Sequence, residues 1–337
     1  MPSRWQHFQK LAQEAGGIVS FVLNSVLIQL VLWKSPKSLG SYKYLIIFSA
    51  VFEIFYAILE IVVEPIFHSF GSTFVIIINV KGSFLGYDAL KVLVSIYCGF
   101  FGSVMAIFGI QFIYRFLVVS GNSLLKSFNG LKMLIWLLVP FIAGVVWGLV
   151  AYFPCAPRQS TDDYLRPVLM DEFGLDVCEI LYIAPYFYEK KEDGTVEIFV
   201  PSFVAMILDS ITIAVSISIA CFFGVKSYRT LNSATASQRY RALQKQLLFS
   251  LIAQTMIPVV LMHAPTLAMF MFAFFGVNLG SLSGVVTVTI ALFPAIDPLP
   301  TIFIVKSYRK ALQSYLAHCI RKLAPPKALC RMRAVSA

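Results

Sequence analysis

Pro294-Ala-Ile-Asp-Pro-Leu-Pro-Thr-Ile-Phe-Ile-Val-Lys-Ser-Tyr-Arg309 closes the last long apolar stretch of the chain and opens a basic tail. From about residue 283 to 305 only Asp297 is charged, and Lys306, Arg309 and Lys310 follow at once. An apolar run of about 20 residues crosses the ~30 Å hydrocarbon core of a bilayer as a helix. Six similar stretches precede it, at about 14–33, 43–64, 88–119, 132–153, 199–224 and 247–272, each about long enough to span. The pattern predicts an all-α membrane protein, a seven-transmembrane helix bundle.

Charge orients it. The connections after stretches one, three and five, together with the tail, hold 19 of the 27 Lys and Arg and no Asp or Glu. Ten of the 17 acids fill the segment 154–198. Lys and Arg are retained on the cytoplasmic side of membrane proteins. The tail is therefore expected inside and the N-terminus outside, at the plasma membrane.

Composition agrees. The chain is 58% hydrophobic and 13% charged, with mean hydropathy +0.80. The net charge of +10 does not point to nucleic acid, because the basic residues sit in short loops where inner-leaflet lipids attract them. The first stretch reads as a signal anchor. An odd number of spans argues against the duplicated halves of many transporters. One domain is expected over 1–306, followed by a tail, 307–337, with an apolar stripe at helical spacing: Leu312, Leu316, Cys319, Ile320 and Leu323. That stripe predicts an amphipathic helix on the inner membrane surface. Cys319, beside Arg321 and Lys322, is a candidate for reversible acylation, with an unmodified buried thiol as the equal alternative.

The six cysteines show no zinc-ligand spacing, and no nucleophile motif or phosphate loop is present. Neither an enzyme nor a metal or other cofactor is expected. Cys155 and Cys178 lie in the long outer segment, an oxidising location where a disulfide persists. The segment itself reads as a solvated, partly folded cap.

Ionisable groups inside membrane helices are expensive and mark function by default. Glu53, Asp209 and Asp297 lie inside helices, and Asn24 is polar mid-helix one. Helices one, two and seven are neighbours in a closed ring, so Asn24, Glu53 and Asp297 can form one polar network beside Pro298. A signalling switch and a satisfied packing network are equally open readings. Pro294, Pro298 and Pro300 predict a bend in helix seven. At the inner end of helix three, Arg115 either snorkels to headgroups or projects into the bundle's inner mouth. Tyr97, Cys98 and Phe101 stand roughly 20–27 Å above it on the same helix, at pocket depth, with ordinary helix packing the competing reading for Tyr97 and Phe101. His263 joins them as a candidate from helix six. Thirty Phe and ten Met suit a small apolar or volatile ligand.

The segments Lys37-Ser-Leu-Gly-Ser-Tyr-Lys-Tyr44, Tyr97-Cys-Gly99, Phe112-Ile-Tyr-Arg115, Arg241-Ala-Leu-Gln-Lys-Gln-Leu247 and Pro294–Arg309 resemble the nematode serpentine receptor class r chemoreceptors, the Str family. That resemblance implies an odorant or pheromone receptor acting through a heterotrimeric G protein in sensory cilia, serving olfaction and chemotaxis. Gln111 stands where the family usually has His, and Phe116 where it has Tyr. A looser resemblance to rhodopsin-like receptors places Asn24, Glu53 and Asp297-Pro298 at that class's polar positions, with Thr301 for its Tyr. Tyr114-Arg115 resembles its Asp-Arg-Tyr and implies a G-protein-facing role for both residues. The usual cysteine at the outer end of helix three is missing, which implies Cys155–Cys178 as the outer staple. The alternative function is a ligand-gated channel or transporter with seven spans, for which a polar file across the membrane would be needed.

Overall fold

The computed structural model describes residues 4–190, 194–233 and 237–323. In chain order α1 (Arg4–Lys34) and α2 (Tyr42–Val63) are followed by a hairpin of β1 (Ile66–Phe70) and β2 (Thr73–Asn79), then α3 (Tyr87–Ser120) and α4 (Met133–Tyr152). The long acidic segment folds as α5 (Gln159–Val168), β3 (Ile180–Ile183), β4 (Tyr188–Lys190) and β5 (Val196–Ile198). After these come α6 (Val200–Ser233), α7 (Gln238–Pro258), α8 (Ala264–Phe274), α9 (Gly284–Ile296), α10 (Pro298–Ile304) and α11 (Lys306–Leu323).

Seven helical runs among the described residues are long and apolar enough to cross a membrane. The chain is a multi-pass membrane protein. The sixth run joins α7 and α8 through a π-turn at Val259–His263, and the seventh joins α9 and α10. α3 is the axis: 83% of its apolar window is buried, against 22% for α6, which faces lipid. α4 lies close against α3 because glycines meet there. A Cβ on Gly99 would stand 2.7 Å from the Gly144 carbonyl oxygen.

Hydropathy marks apolar length, not helix length, and three helices run past their apolar stretch. α1 begins at Arg4, ten residues before its apolar core, because Gln9 and Gln13 are buried and hydrogen-bonded to the carbonyls of Gly284 (3.0 Å) and Pro65 (2.8 Å). α6 continues to Ser233, and α7 starts at Gln238.

Strands correct the all-helical expectation at the acidic end. β1, β2 and β3 form an antiparallel sheet in that order, with Ile76 opposite Ile183. Val75, Ile77 and Tyr182 pack against Leu165 and Leu169 of the α5 segment. Phe74, Ile76, Leu181 and Ile183 pack on the helix bundle. A sheet covered on both faces reads as a continuous apolar run, which is how Thr73–Asn79 reads. The expected solvated cap is thus a folded roof. It is tied to the bundle where Phe67 N donates to Thr287 Oγ1 of α9 at 3.0 Å.

At the basic end α11 leaves the bundle after Val305, whose backbone is extended. Tyr308 is fully buried, with its hydroxyl 2.7 Å from Ser35 Oγ. Leu316 and Ile320 stand exposed on the helix, as a membrane-lying face requires. Cys319 falls on α11, but its side chain, like residues 324–337, lies outside the described part.

Candidate functional site

Under the roof, α3, α4, α6 and α8 enclose a cavity of ≈ 40 Å³. Its ceiling is Phe67, Phe74 and Ile76 of the hairpin, with Ile183 from β3. Cys98 and Phe101 line it as the sequence suggested. Tyr97 and His263 do not. Tyr97 turns to α2, stacking on Tyr56 at 5.2 Å beside the buried Glu60. Depth along a helix gives height but not direction, and α3 is buried all round. His263 lies in the π-turn with Nε2 buried and unpartnered, its ring edge-on to Phe101 at 6.3 Å. It stands behind the cavity wall.

Trp147, Cys155 and Asp209 also line it, none of them among the residues the sequence assigned to the pocket. Asp209 carried a signal, being an acid in a membrane helix. Cys155 also overturns the expected disulfide. Both thiols are free, Cys155 buried in the cavity and Cys178 exposed. The Cys155 carbonyl accepts from Ala184 N at 2.9 Å, beyond one end of β3, while Cys178 precedes the other end. About 13 Å of extended strand separates those ends, and disulfide Cα atoms stand no more than about 7 Å apart.

A larger groove of ≈ 550 Å³ runs between α2, α3 and α4 on the bilayer side. Its serine hydroxyls are spent: Ser95 Oγ donates to Lys91 O at 2.8 Å and Ser103 Oγ to Pro140 O at 2.8 Å. With an almost wholly apolar lining and Tyr152 as its one other hydroxyl, the groove suits lipid chains.

In the middle of the bundle Asn24, Glu53 and Asp297 come together, the Glu53 carboxyl facing both partners. Pro298 has no N–H, so the Pro294 carbonyl one turn earlier loses its helical donor. Asn24 Nδ2 supplies one at 3.0 Å. α9 passes into α10 at Asp297, whose backbone stays helical and whose N–H still reaches Phe293 O at 3.1 Å. Helix six enters the network too, which the sequence did not reveal. Gln254 Nε2 donates to Asp297 Oδ2 at 3.0 Å, and Thr301 Oγ1 donates to Gln254 Oε1 at 2.7 Å. Asn24 Oδ1, Glu53 Oε2 and Asp297 Oδ1 remain buried acceptors without a donor. Such a cluster calls for a shared proton or a bound cation.

Toward the basic end Arg115 neither snorkels nor projects. It is 2% exposed, stacked over the Tyr42 ring at 3.5 Å, and donates through Nη1 to Gln244 Oε1 of α7 at 2.8 Å. Nε and Nη2 are buried without partners. Tyr42 Oη donates to Gln111 Oε1 at 2.8 Å, and Gln111 Nε2 to Ser49 Oγ at 2.7 Å. Tyr114 is buried, stacked on Tyr42 at 5.4 Å. The departure Gln111 is therefore a structural strut between α2 and α3.

The family model described as "Serpentine type 7TM GPCR chemoreceptor Str" matches residues 9–313. The chain is 36% identical over 314 residues to the G-protein coupled receptor str-217 of Caenorhabditis elegans, covering 92% of this chain and 90% of that one. It is 31% identical over 316 residues to serpentine receptor class r-10 of the same organism, covering 93% and 92%. Squid rhodopsin shares the fold with a TM-score of 0.52 at 14% identity, over 96% of this chain and 89% of that one.

Proposed function

Since the chain belongs to the Str family of serpentine seven-transmembrane chemoreceptors, we propose that it is an olfactory receptor of the ciliary plasma membrane that binds a small odorant or pheromone under the roof and signals through a heterotrimeric G protein. The basic end then faces the cytoplasm and the roof faces outward. Sensory cilia, olfaction and chemotaxis come from the resemblance of the sequence to class r receptors.

The observation that carries this reading is the layout of the sixth span. Its outer part, α8, lines the cavity with Thr266 and Phe270. Its inner part, α7, holds Asp297 through Gln254 and Arg115 through Gln244. Gln244 and Gln254 lie about 15 Å apart along the helix. A ligand that moves α8 through the π-turn moves both contacts. Loss of the Gln244 bond frees a guanidinium whose other donors already lack partners, and a G protein offers them acceptors. The polar cluster of Asn24, Glu53 and Asp297 holds helix seven in one arrangement until α7 shifts.

Arg115→Ala tests the coupling role. The variant is expected at the surface and able to bind ligand, with G-protein signalling reduced at least tenfold. Normal signalling at equal surface expression would remove Arg115 from the mechanism.

A further inference from the structure

Asp209 of α6 has no task in the account so far. It is 5% exposed, its Oδ1 is buried without a partner, and among the described residues no side chain donates to it. It lines the roofed cavity. Of the other polar lining groups, Trp147 Nε1 is a buried donor without a partner, and the rest offer little. Thr266 Oγ1 is spent on the Met262 carbonyl at 2.7 Å. Cys98 and Cys155 are free thiols, which are weak donors. Arg158, in the segment above, is bound through Nη1 to Glu189 at 2.7 Å and stacked on Phe199 at 3.3 Å; its Nε and Nη2 lack partners, but it does not line the cavity. A carboxylate buried among apolar side chains is costly unless it takes up a proton or a cation answers it.

Around it the walls are aromatic. Phe101 and Trp147 stack with centroids 6.0 Å apart, and Phe67, Phe74 and Phe270 complete the aromatic part of the lining. Aromatic faces attract cations, and an aromatic cage with one carboxylate recognises ammonium groups. The free volume, ≈ 40 Å³, admits only a few heavy atoms without movement of the walls.

We propose that the cavity recognises a short-chain alkylamine in its protonated form, the ammonium N–H donating to Asp209 and the alkyl body lying against Phe101 and Trp147. The idea rests on the cavity being the receptor's ligand site, and it replaces a purely apolar ligand with a small cationic amphiphile. A neutral alcohol or ketone is the rival, because the Trp147 Nε1 donor is also unpartnered.

The experiment uses the full chain in lipid nanodiscs, with n-propylamine, n-propanol and butanone at one buffered pH. The readout is the ligand-induced rise in melting temperature, since a ligand that binds only the folded state raises it. In the wild type the amine should act at concentrations at least tenfold below the two neutral compounds. Asp209→Asn should abolish that preference, and Asp209→Glu should keep part of it. An amine no better than propanol or butanone in the wild type overturns the proposal even if neither variant folds. So does an unchanged amine preference in Asp209→Asn. G-protein nucleotide exchange, measured alongside, separates the two claims. Amine binding without exchange would sink the receptor reading and keep the ligand class. Exchange driven by neutral compounds, with no amine preference, would do the reverse.

Discussion

Asn24 shows how one side chain can serve a neighbouring helix. Its amide donates to the Pro294 carbonyl that Pro298 leaves without a helical partner. Asn24→Leu should leave that buried carbonyl unsatisfied and destabilise the chain by about 1–3 kcal/mol. Thermal melting in nanodiscs would read it, and an unchanged midpoint would show that the bond contributes nothing. At this scale the sequence was legible where residues are polar in apolar surroundings: Asn24, Glu53 and Asp297 meet as their helices' neighbourhood implied. Gln244 gives no signal because it lies in the polar start of α7, before the sixth apolar stretch, whereas Gln254 lies inside that stretch and carries the same signal as Asn24. Tyr97 was misplaced because a helix buried on every side offers no apolar stripe to fix its direction.

Helix seven and the roof carry the element-scale arguments. α9 and α10 are joined at Asp297, next to Glu53 of α2, so the two carboxyls sit at one junction, where Pro298 removes a helical bond. Glu53→Gln and Asp297→Asn should each shift basal signalling, and the double variant should depart from the sum of the singles. A double-mutant cycle normalised to surface expression measures this, and strict additivity would dissolve the network.

The roof adds a pH dependence. His68 of β1 is 3% exposed, and burial pushes its imidazole from the usual 6.5 down to about 4. Glu172 Oε2, 3.5 Å from His68 Nε2 and largely solvated, does not offset that burial. The unfolded chain therefore binds the proton first, and stability present above pH 6.5 is lost as pH falls toward 4. Melting temperature should drop over that window, and His68→Asn should flatten the drop. An equal drop in the variant would clear His68. The strands themselves were hidden in the sequence. A seven-residue apolar run too short to span a membrane looks like any loop until its covering helix, α5, is in place.

The seven-span bundle was the most legible level, because hydrocarbon thickness fixes span length and no other signal competes with it. The Lys and Arg distribution predicts an N-terminus outside, so an epitope placed after Met1 should stain on unpermeabilised cells. Staining that appears only after permeabilisation would invert the topology and put the roofed cavity in the cytoplasm. Cavity contents were the least legible, since four helices and a sheet must converge before Asp209, Trp147 and Cys155 share one space. The central claim is that ligand binding under the roof is read at the opposite end of the bundle by a G protein, rather than by ions passing through. Nucleotide exchange on a heterotrimeric G protein, driven by the chain in nanodiscs across a panel of small amines and neutral volatiles, measures it directly. The account predicts that at least one compound accelerates exchange by the wild type and fails with Arg115→Ala. A ligand-evoked current in cells lacking G proteins, with no exchange for any compound that binds, would contradict it.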